Sequence, residues 1–245
     1  MPQEAPPLIK TQLRNSRFGV DRVGRFAEGP HYGPVLEPIH IHSVHAHVQI
    51  NPLIQQQSEQ HDKLYLEWNM LFPSAQCQSS DGVPLTVRWS QSHGDEPATF
   101  PRLTQLRLVS DMFPWTIHVI ASNPDLGVTC GEMVARIDDE LHRSTLQQDY
   151  EALPPARKRA VQAAYKKNRS REDGVPGRQL TPAMLRLDWL GGDTFFGGLR
   201  ENKTLVRYVC RDLLPCTFEL VRVGKHPGKV EQLASTNEGD DEEGE

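Results

Sequence analysis

The sequence predicts an α+β domain: a mainly antiparallel sheet with about three helices packed on one face. Three observations predict it. Strand-like segments are grouped before and after the middle of the chain instead of alternating with helices. The helical signals form one block, from Thr129 to Arg171. Gly174, Pro176 and Gly177 end that block, as residues that punctuate regular structure do. The domain is expected over 39–225. A flexible arm over 1–38 precedes it, and an acidic tail over 226–245, disordered by composition, follows.

The arm contains EAPPLIK and FAEGPHYGPVLEP, rich in proline and glycine and without hydrophobic periodicity. HAHVQI, residues 45–50, is the first candidate strand, ended by Asn51-Pro52. KLYLEWNM, residues 63–70, is the second. Its alternation puts Leu64, Leu66 and Trp68 on one face and Lys63, Tyr65 and Glu67 on the other. Residues 76–101 read as loop, with Asp81-Gly82 and several prolines. RLTQLRLVS and PWTIHVIA are then two strands joined by a turn at Asp111–Pro114. In the second, Trp115, Ile117 and Val119 share a face, opposite Thr116, His118 and Ile120.

The period then changes. Thr129-Cys130-Gly131-Glu132 is a capping box, followed by Met133, Val134, Ile137 and Leu141 at helical spacing. Thr145-Leu146-Gln147-Gln148 reads as a second box, opening a short helix with Leu146, Tyr150 and Leu153 on one side. Pro154-Pro155 opens a third, because proline is tolerated in a first turn; Val161, Ala164 and Tyr165 form its apolar stripe. MLRLDWL, TLVRYVC and CTFELVRV read as three closing strands. In the first, Leu185, Leu187 and Trp189 would face the core, with Arg186 and Asp188 opposite.

Composition narrows the setting. Hydrophobic residues make up 37% of the 245, low enough that an ordered core and unordered ends must share the chain. The formal charge is −5, yet the last eleven residues alone hold six acids (Glu238, Asp240, Asp241, Glu242, Glu243, Glu245) and no Lys or Arg. The rest is near neutral, so no global basic field points to nucleic acid. The N-terminus lacks the charged-then-apolar pattern of a signal peptide, and no apolar run approaches the ~18 residues that span a bilayer. Four cysteines without a CxxC pair read as reduced thiols. Cytoplasm or nucleus is the expected compartment; secretion and membrane association are not expected.

Several segments resemble one family in order: NPLI with LEWNM, PWTIHVIASN, VTCGEMVARIDDEL, the Tyr150–Pro154 segment, AAYKKNR, and LDWLGGDTFFGGL from Leu187 to Leu199. Together they resemble a domain of unknown function abundant in mushroom-forming fungi, over roughly His47 to Val223. The family commonly has His-Pro where this chain has Asn51-Pro52. The resemblance implies a fold boundary and a fungal origin, and no activity or catalytic residue.

Three motifs carry chemistry. His40, His42, His45 and His47 place four imidazoles within eight residues. As a strand they form two pairs whose faces differ unless Ser43-Val44 bulges. One strand supplies two of the three or four ligands that zinc requires, so a solvent-facing edge strand is favoured over a metal site. No cofactor is predicted, and zinc is the metal such a cluster would take. GGDTFFGGL lacks the Gly-Lys-Ser/Thr of a phosphate loop. Gly191, Gly192, Gly197 and Gly198 read instead as two tight turns, with Asp188 and Asp193 as the polar groups of a candidate functional loop. Arg157, Lys158, Arg159, Lys166, Lys167 and Arg169, with Arg171, ring an amphipathic helix over 156–171. They form a candidate basic surface, with nucleic acid the less favoured partner. Cys130 sits at a helix start, where a thiol is either activated or buried.

The leading expectation is a non-enzymatic intracellular module that contacts another protein. The alternatives are a small-molecule or metal-dependent enzyme with a cleft near the Gly191–Gly198 turn and the His40–His47 strand, and nucleic-acid binding through the basic helix.

Overall fold

The structure, a computed structural model, describes residues 35–56, 64–80 and 93–224. The expectations for most of the arm (1–34), for Lys63, for the Asp81-Gly82 loop and for the acidic tail lie outside the described residues.

Three short ladders precede the main sheet. β1 (Val35–Leu36) leads into α1 (Pro38–Ser43) and β2 (Gln49–Ile50), followed by β3 (Leu66–Glu67), β4 (Gln78–Ser79), β5 (Thr99–Phe100) and β6 (Arg102–Leu103). β1 pairs with β6 in parallel, β2 with β5 and β3 with β4 antiparallel. β7 (Gln105–Ser110) and β8 (Phe113–Ile120) form the expected hairpin. Its alternation holds: Ile117 and Val119 are buried, while His118 and Ile120 face out.

α2 (Cys130–Leu141) starts at the predicted capping box. Thr129 Oγ1 accepts from Glu132 N at 3.2 Å, and Glu132 Oε2 accepts from Thr129 N at 3.0 Å. Met133, Val134, Ile137 and Leu141 are all buried. α3 (Gln147–Glu151) and α4 (Pro155–Asn168) follow, then β9 (Phe195–Arg200), α5 (Lys203–Cys210) and β10 (Thr217–Val223). The four-stranded sheet runs β8-β7-β10-β9. The class is therefore α+β, with two corrections. The described residues form five α-helices, and the sheet is mixed, because β10 runs parallel to β7.

Four expected elements come out differently, each for a local reason. The histidine segment is not one strand: His40 and His42 lie in a helix from Pro38, where proline presets the first-turn geometry and Ile41 is the one buried residue, His45 and His47 follow it, and of the HAHVQI strand only Gln49–Ile50 forms. LDWL is not a strand but a 3-10 helix over Arg186–Leu190, because Asp188 Oδ2 accepts from Leu185 N at 2.9 Å and closes the turn. Asp188 thus faces inward, not opposite the leucines. TLVRYVC is α5, started by Asn202 Oδ1 accepting from Leu205 N at 3.0 Å. The second capping box does not form: α3 begins after Leu146, and the Thr145 hydroxyl accepts instead from Trp189 Nε1 at 3.1 Å.

One apolar cluster joins the sheet (Leu106, Leu108, Ile117, Phe218, Leu220) to α2 and to Leu187, Trp189 and Leu190. α5 packs against β7 and β10, and its buried Val206 lies outside that cluster. The sheet's two borders differ. Beyond β9, Leu199 N donates to Ile54 O at 2.7 Å and Phe196 N to Trp68 O at 2.9 Å, so other segments cover that side. At β8, Arg136 Nε donates to the outward His118 carbonyl at 2.9 Å.

A pH-sensitive clasp ties α2 to the Ser74–Gln76 turn. Asp138 Oδ2 accepts from Ser74 N at 2.7 Å, and Oδ1 lies 2.8 Å from His142 Nδ1. Burial pushes the Asp138 carboxyl up, but the bonds from His142 and Ser74 outweigh it and hold it below the usual range. The bond to Asp138 raises the His142 imidazole against a smaller opposing effect of burial. The raised histidine stabilises fully below its unfolded value near pH 6.5 and loses this as pH rises through its folded value. The lowered aspartate stabilises above its unfolded value near pH 3.9 and loses this as pH falls through its folded value. The clasp is therefore strongest between roughly pH 4 and 6.5. Urea unfolding at pH 6 and pH 8.5 is expected to show a loss of about 0.5–1 kcal/mol that His142→Gln removes. An equal pH dependence in wild type and variant would assign the effect elsewhere.

Candidate docking groove

The polar side chains that sequence reasoning singles out are largely committed to the protein's own groups. Asp188, fully buried, accepts from Asn168 Nδ2 (2.9 Å), from Arg169 Nη1 (2.9 and 3.1 Å) and from Leu185 N. Arg169 also donates to the carbonyls of Tyr165, Thr181 and Ala183 and stacks over the Tyr165 ring at 4.0 Å. Arg157 donates to Met112 O and Trp189 O, and burial pulls its guanidinium below its usual value. Arg222 donates to Leu190 O at 3.0 Å and to Asp193 Oδ2 at 3.1 Å. These bonds clamp the corner between Leu185 and Asp193.

Its glycines divide. Gly191, at φ 71°, caps the 3-10 helix and Gly198, at φ 92°, lies within β9; Gly192 and Gly197 need no positive φ. The second expected tight turn is therefore strand. Of the six candidate basic residues, Arg157 and Arg169 turn inward and Lys158 sits 5.8 Å over the Tyr150 ring. Arg159, Lys166 and Lys167 are exposed.

Two further clusters lie on α2 and in the segment expected as loop over 76–101. Glu140, buried on α2, pairs with Arg136 (2.6 Å), Arg143 (2.9 Å) and Arg186, and Arg186 lies 4.6 Å over the Trp115 ring. His93 Nδ1 meets Glu96 Oε1, while Asn51 Nδ2 donates to Glu96 Oε2 at 3.0 Å. Cys130 lies beside them with its thiol donating to Pro97 O. Burial and then the Glu96 charge push that thiol well above its ordinary value, which makes it a poor nucleophile.

The histidines do not converge. In α1, His40 and His42 are two residues apart, and so project from different sides of the helix. The His42 and His45 rings are 6.3 Å apart, and His47 Nδ1 lies 3.8 Å from Glu201 Oε1. Among the described residues no group of three or more His, Cys, Asp or Glu side chains could hold a metal.

His42 and His47 do share one feature: both line an open groove of about 690 Å³. α1 and the segment to Val48 form one wall. Glu201–Val206 and Leu213–Phe218 form the other, with Ile41, Val48, Val206 and Phe218 as apolar lining. Of the six exposed large hydrophobics among the described residues, Leu213 lines the groove, and Ile39 and Val44 are chain neighbours of its α1 wall. Of the three described non-glycine residues at positive φ, Cys216 (58°) lines the groove, His45 (50°) lies within the chain segment of its first wall, and Arg211 (60°) caps the end of α5. Backbone held in a sparsely populated region tends to mark functional surfaces. Burial pushes the Cys216 thiol up to about 11. The single cleft expected near both the Gly191–Gly198 turn and the His40–His47 segment is two separate hollows: this groove takes in His42 and His47, and a pocket of about 70 Å³ is lined by Gly197 and Gly198. The groove escaped sequence reasoning because its walls lie far apart in the chain.

A model described as a family of unknown function (DUF6699) matches residues 66–206, more than half the chain. The chain belongs to that family. No curated protein and no solved structure matches it. The DUF6699 match begins at LEWNM and ends within α5, narrower at both ends than the resemblance first suggested. It includes Glu201–Val206 of the groove and excludes α1, the histidines and Leu213–Phe218. No helix among the described residues is long and apolar enough to cross a membrane.

Proposed function

We propose that this DUF6699 chain is a non-enzymatic intracellular protein-interaction module that docks an apolar segment of another protein in the groove between α1 and α5. Fungal origin belongs to the same reading and rests on the sequence resemblance. The observation that carries the proposal is the open groove itself, with Ile41, Val48, Val206 and Phe218 along it and the exposed Leu213 at its edge. Exposed apolar area of this kind marks interaction surfaces. The reactive side chains support it from the other side, because the candidate-loop Asp188, the Cys130 thiol and the buried Glu140 are engaged internally.

The test uses surface substitutions that leave the core intact. Random peptides displayed on phage are selected on the purified protein, and recovered peptides are titrated by calorimetry against wild type and His47→Asp/Leu213→Asp, both exposed residues of the groove lining. Apolar peptides that lose at least tenfold in affinity for the variant are expected. Failure to recover any peptide above background, or equal binding to the variant, would remove the reading.

A further inference from the structure

α4 presents more positive charge than its packing uses. Arg159, Lys166 and Lys167 are exposed, as are Arg171 and Arg178 just beyond it. Among the described residues none of these five forms an ion pair. Arg159 and Lys166 are two helical turns apart on one side, and Lys167 borders them. The only acids between Pro155 and Arg178 are Glu172 and Asp173.

The end of β10 lies against the start of this helix. Arg222 donates to Leu190 O while Arg157, in the first turn of α4, donates to the preceding carbonyl, Trp189 O. Gly224 follows so closely on this corner that a Cβ there would lie 2.7 Å from Asp193 Oδ1. The chain therefore continues from beside the N-terminal end of α4. A helix of this length spans ~21 Å at 1.5 Å per residue. The residues between Gly224 and Glu238 can span up to about 45 Å, enough to bring the acidic run to any point on it.

We propose that the exposed basic face of α4 is a docking surface for the chain's own residues 238–245, whose six carboxylates carry no neighbouring cation. Tethering sets the effective concentration of such a segment near the millimolar range, so weak exposed charge pairs suffice. The tail then occupies the face that a polyanion would otherwise use, and salt releases it over a screening length of about 10 Å at 0.1 M.

Carbodiimide coupling of the full chain, read by peptide mass spectrometry, tests this. Links from residues 238–245 to Lys166 and Lys167 are expected in at least fivefold excess over links to Lys63 and Lys203 at low salt. They should be independent of protein concentration and lost at high salt. Equal yields at all four lysines would overturn the proposal, as would yields that climb with protein concentration. In a second arm, the full chain carrying E238Q, D240N, D241N, E242Q, E243Q and E245Q is titrated with a fluorescein-labelled single-stranded oligonucleotide as polyanion probe. At least tenfold tighter binding than wild type is expected, reversed by adding K166E and K167E. Unchanged affinity would show that the face is not covered.

Discussion

Replacing Asp188 with alanine is expected to cost about 3–5 kcal/mol of folding stability, the usual penalty for breaking a buried ion pair from one side. The carboxylate is fully buried and accepts from Asn168, Arg169 and the Leu185 amide. Without it, a guanidinium whose side chain is only 12% exposed keeps its charge and loses its counter-ion. The 3-10 turn also loses its closing bond, so Leu187, Trp189 and Leu190 lose their fixed position in the core. Domains of ordinary stability have about 5–15 kcal/mol in hand, so the variant should be partly unfolded near 37 °C. Urea titration followed by tryptophan fluorescence measures this. Asp188→Asn keeps the acceptor geometry toward Leu185 N and should fall between the two. A loss below 1 kcal/mol for Asp188→Ala would mean that water or rearrangement replaces the carboxylate.

The second large effect is expected at Gly198. A Cβ there would lie 2.5 Å from Gln56 N and 2.6 Å from Gln55 C and O, at a φ of 92°. Those neighbours are backbone, so no rotamer change relieves the clash. The 54–56 segment must lift from β9, breaking Gln56 N to Leu199 O and Leu199 N to Ile54 O. Two hydrogen bonds at about 1 kcal/mol each, with backbone strain of about 1–3 kcal/mol, give Gly198→Ala an expected loss of about 3–5 kcal/mol. For Gly197→Ala the nearest atoms are the Val221 carbonyl and the Val221 and Val223 methyls, at 3.1–3.2 Å and without positive φ, so the cost should be visibly less. Hydrogen exchange locates the effect: faster exchange at Gln56 and Leu199 in the Gly198 variant is the expected pattern. Uniform acceleration across the domain would point to global destabilisation instead.

Where local signals and tertiary contacts agree, the elements were legible. The β7–β8 hairpin shows period-two alternation, α2 has a capping box, and α4 starts at a proline pair. Each is specified by residues within one or two turns of itself. The misreadings arise where a single side chain overrides the pattern. Leu185, Leu187 and Trp189 alternate as a strand would, yet the Asp188 carboxylate curls them into a 3-10 turn, and a distant Arg169 makes that burial tolerable. TLVRYVC is rich in β-formers, yet Asn202 caps it as a helix. The four histidines read as a strand because pairs spaced by two share a strand face, whereas Pro38 sets helical geometry for His40 and His42 and the helix ends at Ser43, before His45 and His47. The groove was illegible for another reason: its walls, 41–48 and 201–218, meet only through the tertiary fold.

The guanidinium of Arg136 has a consequence beyond α2. Among the described residues the mixed sheet ends at β8 with no further strand paired to it, and there Arg136 already occupies the His118 carbonyl that an incoming strand would need. A cation at such a flank blunts stacking between copies of a protein. The same residue that helps neutralise Glu140 inside therefore guards the molecule against templated growth outside.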